Sequence, residues 1–524
     1  METPVQPDTL SADQPHIAQP AAIATERLHS WASIIIVFLS NFCILVLELV
    51  AGRMMAPIVG VSLYTWTSII GVILAGISLG NYIGGKIADR WASRKVLALL
   101  FALSAAGSAS ILLVIDQIGP LRQLEIPIAL GVVLIFTAVF LLPAAILGTI
   151  SPVVVKLTLA DLNQTGNVVG KIYAAGAGGS IFGTFATGFF LISAFGTRMI
   201  VWGVAGGLLL IGAIIGLSAR NRWRFVPLVL FIIFVAGTGW ARQQDWFQNG
   251  CIRETNYFCI KVRPDDENED VRVLLLDRLV HSYVDLTDPT YLQYGYERAY
   301  ADVLKTVFPD QQPVSSLFIG GGGYTFPRYI EVVHPGSTID VIEIDPGVTE
   351  VAYRHLALPQ ETTIRSINED ARRHISRLPQ ERRYDIIVGD AFNDFSVPYH
   401  LTTLEFNQVI DQHLTGGGIY IVNIIDGRQG DFLRAYVNTM RQVFSYVYVS
   451  PVGTEIGKSN RLTYVVVGSQ SSLNELMAEQ PLNRLFIGQQ ELDDYMQQGT
   501  VITLSDDYVP VDNLLAPVFA DSGL

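Results

Sequence analysis

At 524 residues the chain is too long for a single hydrophobic core, so two or more domains are expected. Half of its residues are hydrophobic and 16% are charged, and the net charge of −13 is unevenly spread: 14 Lys and Arg against 9 Asp and Glu through Arg242, 21 against 39 after it. An apolar, slightly basic half joined to an acidic half reads as bilayer plus water, excludes nucleic acid as a partner, and suits a cationic substrate.

Residues 1–28 are polar and aperiodic, the pattern of a disordered tail; the first apolar run begins too late for a signal peptide. A helical membrane domain is expected over 29–242. Runs near 32–50, 64–85, 96–115, 127–150, 172–194, 199–217 and 225–241 each approach or exceed the length needed to cross a bilayer. The fourth lies within a longer stretch, 126–157, containing Pro143 and Pro152, which predicts one tilted, kinked helix or a re-entrant piece. The run Ala174-Ala175-Gly176-Ala177-Gly178-Gly179-Ser180, with Gly183 and Gly188, suits close helix packing.

Lys86, Arg90, Arg94 and Lys95 follow the second span, Lys156 and Lys171 the fourth, and Arg220, Arg222 and Arg224 the sixth. The other loops hold single arginines (Arg53, Arg122, Arg198), so the charge bias puts the N-terminus in the cytoplasm, in a cell or inner membrane. Seven spans then end outside. If 225–241 is instead an interfacial helix, the following domain is cytoplasmic. Glu48 and Arg53 sit in or just past the first run, where ionisable groups are costly; they define a functional site, pair with each other, or Arg53 snorkels to the interface.

Beyond Trp246 the pattern changes. Short β-like runs at 253–263 and 271–286 flank the turn Pro264-Asp265-Asp266-Glu267-Asn268, which predicts a small antiparallel β subdomain over 250–295. Cys251 and Cys259 can be bridged only if the chain turns between them. With Cys43 in an apolar run, the three cysteines show no metal-ligand spacing, so no metal is expected. From 296 to 524 strands and helices alternate, the pattern of a doubly wound sheet. Strands are expected at Ser316–Ile319, Thr338–Ile344, Thr363–Ile367, Tyr384–Val388 and Gly418–Asn423, with a closing antiparallel pair near Tyr446–Val452 and Arg461–Gly468.

Four features fall at strand C-termini, where such sheets bind ligands. Gly320, Gly321, Gly322 and Gly323 allow close backbone approach to a ligand. Glu343-Ile344-Asp345 follows about 20 residues later, the interval at which a carboxylate reaches ribose hydroxyls. Asp370-Ala371, one strand on, suits an adenine amino group. Asp390 and Asp394, after the fourth strand, can deprotonate an ammonium group and hold a polycation.

This order resembles the polyamine aminopropyltransferases such as spermidine synthase, over about residues 250–470. Glu254-Thr255-Asn256-Tyr257 looks like the family's Glu-Ser-x-Tyr, and Leu275-Leu276-Asp277 like its Leu-Asp-Gly. With the membrane half, the chain resembles membrane-fused spermidine synthase-like proteins, and Asp390-Ala391-Phe392-Asn393-Asp394, Pro398-Tyr399-His400-Leu401 and Asp507-Tyr508-Val509-Pro510-Val511-Asp512 suit that subgroup.

The resemblance implies a Rossmann-like, methyltransferase-type domain. It implies transfer of an aminopropyl group from decarboxylated S-adenosylmethionine to putrescine or a related amine, without a metal. Glu343 would hold the ribose and Asp370 the adenine; Asp390 would be the base; Asp394, Tyr294 or Tyr296, and Tyr399 would shape the amine channel. Soluble relatives assemble as oligomers, so a homo-oligomer is implied.

Departures bear on the donor. Where the family reads Gly-Gly-Gly-Asp-Gly-Gly, with the aspartate on the donor's ammonium, this chain has Gly323; Phe258 and His281 replace glutamines, His281 becoming a candidate polar contact. These changes admit ordinary S-adenosylmethionine as donor to a different transferase, or a transporter or sensor with a binding domain alone.

Overall fold

The computed structural model describes residues 27–118, 128–159, 165–218, 225–243, 246–247, 250–391, 397–453, 459–474, 486–499 and 501–521. Seven of its helices are long and apolar enough to cross a membrane: α1 (Ser30–Val59), α2 (Leu63–Trp91), α3 (Arg94–Ile115), α4 (Leu130–Thr158), α5 (Thr165–Phe195), α6 (Thr197–Leu217) and α7 (Val226–Gln243). Each coincides with an expected apolar run. The long fourth run is one irregular rod rather than a re-entrant loop: a π-helical turn at Thr137–Leu141 absorbs an extra residue just before Pro143. The expected tail lies almost wholly outside the described residues, as do Arg122, Arg220, Arg222 and Arg224.

The small residues of α5 do pack as their composition implies. A Cβ on Gly179 would sit 2.1 Å from the Phe38 carbonyl oxygen of α1. Only glycine lets the two backbones approach this closely. Helix α7 lies along α6, with the Trp202 and Phe234 rings stacked at 4.4 Å and the Trp202 indole donating to Thr238 Oγ1 at 2.8 Å. The helix ends are tied in pairs. Lys156 meets Asp89 at 3.2 Å, joining the ends of α4 and α2, while Arg198 pairs with Asp116 where α6 begins and α3 ends.

The second half opens with a four-stranded antiparallel sheet in sequential order: β1 (Arg253–Glu254), β2 (Cys259–Pro264), β3 (Val271–Leu276) and β4 (Leu279–Asp285). Helix α8 (Gly295–Val307) leads into a seven-stranded sheet: β5 (Ser315–Ile319), β6 (Thr338–Ile342), β7 (Ile364–Ile367), β8 (Tyr384–Gly389), β9 (Leu414–Asp426), β10 (Tyr446–Pro451) and β11 (Leu462–Ser469). The spatial order is β10-β11-β9-β8-β5-β6-β7. The five central and edge strands from β9 to β7 are parallel, and β11 and β10 close the sheet antiparallel. The parallel strands are apolar on both sides because each face carries its own core of packed helices. Chain order reverses between β5 and β8, so a ligand crevice opens at their C-terminal ends. This is a Rossmann-like arrangement, as the alternation of strands and helices predicts.

The segment between β1 and β2 joins the two halves. Cys251 and Cys259 form a disulfide, made reachable by the turn through residues 255–258. Arg53, at the end of α1, does not pair with Glu48 among the described residues. Its guanidinium donates to the carbonyls of Tyr257 at 2.5 Å and Thr255 at 3.2 Å, and stands 4.0 Å from the buried carboxylate of Asp277. Neither the pairing with Glu48 nor simple snorkelling describes it. From the other side, Glu254 accepts hydrogen bonds from the backbone and hydroxyl of Thr197, at the start of α6. Thr255 then donates to Asp345 Oδ2 at 2.6 Å, which ties the same turn to the large sheet.

Replacing Arg53 with Met leaves the Asp277 carboxylate buried without its cation. Loss of a charged hydrogen-bonding group of this kind costs on the order of 1.5–3 kcal/mol. Thermal unfolding in detergent is expected to show the loss for Arg53→Met and none for Glu48→Gln; equal effects would mean that the junction does not depend on Arg53.

Candidate active site

At the reversal point the turns after β5 and β8 touch. Gly320 has φ +100°, and a Cβ there would lie 2.2 Å from the Asp390 carbonyl oxygen. Glycine is therefore required for the first turn to lie against the second. The contact is locked by the Asp390 amide donating to the Ile319 carbonyl at 2.9 Å. It brings the glycine turn and the strand-end carboxylate to one cavity of about 420 Å³. The wall includes Gly320, Gly321, Gly322, His281, Tyr294, Tyr296 and Asp390.

Asp390 is half-buried. Asn423, from β9, donates to its Oδ1 at 2.9 Å, and the Tyr296 hydroxyl is hydrogen-bonded to it as well. Burial raises its pKa above the usual carboxylate value, and the two hydrogen bonds oppose that rise. Tyr294 and Tyr296 stack at 5.2 Å, and the Tyr294 hydroxyl donates to the Val280 carbonyl at 2.8 Å. His281 is partly buried, with its ring 6.3 Å from that of Phe258; desolvation, and then Arg461, pull its pKa down to about 4, so it is neutral at pH 7.

The acidic residues after β6 and β7 lie beside this cavity rather than in its wall. Glu343 Oε2 accepts from the Gly321 amide at 2.9 Å and the Gly322 amide at 3.4 Å, and Oε1 from the Asp345 amide at 2.9 Å. It buttresses the glycine turn. Asp345 caps the helix α9 (Pro346–His355) through the Gly347 amide and receives Thr255 on its other oxygen. Asp370 caps the short helix α10 (Ala371–Ile375) through the Arg373 amide at 2.8 Å, and its other oxygen meets His400 Nε2 at 3.0 Å. Ala371 is buried below it. Arg372 donates to the His400 carbonyl and pairs with Asp506, so the segments around Tyr399 and Asp507 assemble next to Asp370. Tyr399 itself is largely exposed and lines no part of the cavity. Asp394 lies outside the described residues.

Three wall features were not anticipated. Glu297, Arg278 and Arg461 all line the cavity. Glu297 was readable: it shares the apolar stripe of α8 with Tyr300, Ala301 and Leu304 at helical spacing, an odd place for a solvated acid. Gly323 has no room for a side chain at all. A Cβ there would lie 2.6 Å from both Ser282 Cβ and Val284 Cγ2 of β4, and its amide donates to Ser282 Oγ at 2.8 Å. Among the described residues no cluster of His, Cys, Asp and Glu is arranged to hold a metal ion.

No family model matches the chain. It is 30% identical over 220 residues to a polyamine aminopropyltransferase of Vibrio vulnificus, covering 41% of this chain and 70% of that one. It is 28% identical over 169 residues to a probable polyamine aminopropyl transferase of Bifidobacterium longum, spanning 32% of this chain and 34% of that protein. It is also 30% identical over 152 residues to an eEF1A lysine and N-terminal methyltransferase of Xenopus laevis, covering 28% of this chain and 22% of the relative. Among solved structures, a probable spermidine synthase from Corynebacterium glutamicum aligns with a TM-score of 0.43 at 20% identity, covering 49% of this chain and 95% of that one. The relatives are transferases, and the sequence makes this chain a transferase too. More narrowly, it belongs to the polyamine aminopropyltransferase family.

Glu343→Gln tests the buttress. An amide can accept on one atom only and would turn its NH2 toward a backbone N–H, loosening the glycine turn. Stability, measured by calorimetry, is expected to fall by about 1–3 kcal/mol, the cost of leaving a buried N–H without its acceptor. Unchanged stability would mean that Glu343 does not brace the turn.

Proposed function

We propose that the chain is a membrane-anchored aminopropyltransferase. In this reading it moves an aminopropyl group from decarboxylated S-adenosylmethionine to putrescine or a related amine. The observation that carries it is Asp390, a strand-end carboxylate held by Asn423 and Tyr296 inside the cavity formed at the glycine turn. The adenosine part would lie along the turn Gly320–Gly322, toward Glu343 for the ribose and Asp370 and Ala371 for the base. The acceptor would enter beside Tyr294 and Tyr296.

In the reaction the amine nitrogen forms a bond to the propyl carbon on sulfur as the carbon–sulfur bond breaks. The sulfonium leaves as neutral methylthioadenosine. The attacking nitrogen must first give up a proton, and Asp390 is the group that takes it. A base must be ionised to act, so the rate is expected to fall on acidification through the raised pKa of Asp390. Asp390→Asn removes the base and keeps the shape. With putrescine and decarboxylated S-adenosylmethionine, the expected result is a loss of turnover by two or more orders of magnitude with methylthioadenosine binding retained, read by mass spectrometry and calorimetry. Full activity in the variant would sink the assignment.

A second reading draws on the sealed position at Gly323, which leaves no room for the aspartate that the resemblance places on the donor's ammonium. A site without that carboxylate no longer selects a decarboxylated donor and admits ordinary S-adenosylmethionine. Offering the two donors separately distinguishes the readings by which is consumed.

For the membrane half we propose seven spans with the N-terminus in the cytoplasm and the catalytic domain on the opposite face. The end of α1 and the start of α6 share one side in this topology, and both touch the segment of the Cys251–Cys259 bridge. Disulfides persist in oxidising compartments. In intact cells a cysteine introduced at exposed Asp266 is expected to react with a membrane-impermeant maleimide; one at exposed Lys86 is expected to react only after permeabilisation. The reverse pattern would invert the topology.

A further inference from the structure

The mechanism above leaves one buried acid of the cavity unused. Glu297 is 3% exposed and belongs to the cavity wall. It stands at the third position of α8, and one of its oxygens is reached by the backbone N–H of Tyr294, the residue that precedes the helix. That half of the carboxyl is a helix cap. The other oxygen, Oε2, has no hydrogen-bond partner among the described residues. Leaving such an oxygen dry is costly, and the cost is highest if it is charged.

The groups that surround the cavity are Asp390 after β8, Tyr294 just before α8, Tyr296 and Tyr300 on it, His281 and Arg278 by β4, and Arg461 before β11. Arg298 also acts on Glu297 from its own helix. Among the described residues Asp390 is the only other carboxylate in the wall. Two carboxylates in one enclosed space resist ionising together. Burial, and then the charge of Asp390, push the Glu297 pKa up to about 8.

We infer that Glu297 is a further catalytic residue: with Asp390 it forms a pair that holds one proton while the cavity is empty, and Glu297 releases that proton when a cationic amine enters. The balance is simple. The ammonium substrate arrives, the Glu297 carboxylic acid loses its proton to solvent, and its carboxylate pairs with the incoming charge. Asp390 remains ionised and takes the proton from the attacking nitrogen. Glu297 thus makes the cavity neutralise a cation only when one is present. The substrate half of this inference rests on the aminopropyl-transfer reading; the protonation of Glu297 does not.

Two measurements test it. First, putrescine is titrated calorimetrically into methylthioadenosine-loaded protein at pH 7, in buffers of different ionisation enthalpy. The wild type is expected to release about one proton per site, and Glu297→Gln close to none. Second, difference infrared spectroscopy from pH 7 to pH 9 on protein with carbon-13 in its glutamate carboxyls follows the protonated acid directly. A glutamate band is expected to disappear in the wild type. Glu297→Asp, which keeps an acid if Glu297→Gln fails to fold, is expected to lack that labelled component. No proton release from the wild type overturns the inference. So does a Glu297→Gln protein that differs only in melting temperature. If putrescine does not bind at all, the aminopropyl reading fails, and the infrared band still decides the state of Glu297.

Discussion

Everything in the cavity depends on one backbone contact, the one between the turn at Gly320 and the carbonyl of Asp390. Parallel pairing sets the spacing of β5 and β8 as far as Ile319 and Gly389, where the turns begin. A residue without a Cβ lets the two turns close on each other, and a single amide bond from Asp390 to Ile319 fixes the approach. The same turn is braced from the other side by Glu343, whose two oxygens collect three backbone N–H groups. The carboxylates that flank the cavity therefore divide by function. Glu343, Asp345 and Asp370 spend their oxygens on amides and caps, and Asp390 and Glu297 face the space where a substrate would lie.

The junction between the halves follows the same economy. The segment from Glu254 to Phe258, at the end of β1 and before β2, is held by Arg53 from one helix, by Thr197 through Glu254 from another, and by Asp345 through Thr255 from the large sheet. The disulfide closes the loop that makes those contacts. Asp345 follows two residues after Glu343, so the helical half is mechanically two hydrogen bonds removed from the brace of the glycine turn. This gives the guanidinium at the end of α1 a role that neither lipid nor Glu48 supplies.

Much of this was legible in the residues. The strands of the large sheet stand out because runs of Val, Ile and Leu end in Gly, Asp or Asn, and the helices of the first half because their apolar runs have bilayer length. Glu343 follows the end of β6 instead of lying in it, a shift that places its carboxylate under the glycine turn. What the chain hides is pairing over distance. The partners of Arg53 lie some 200 residues away, and no local pattern announces them. The disulfide required a turn that spacing alone does not fix. Glu297 was overlooked because an acid in the first turn of a helix normally faces water and favours the helix dipole; only its place on the apolar stripe of α8 distinguishes it.

Gly323 also limits what a change at its own position can do alone. Ser282 and Val284 of β4 fill the space that a side chain would need, so a carboxylate placed here has to displace the neighbouring strand. The position is closed to single substitution, and a variant that carries an acid there must recut β4 as well.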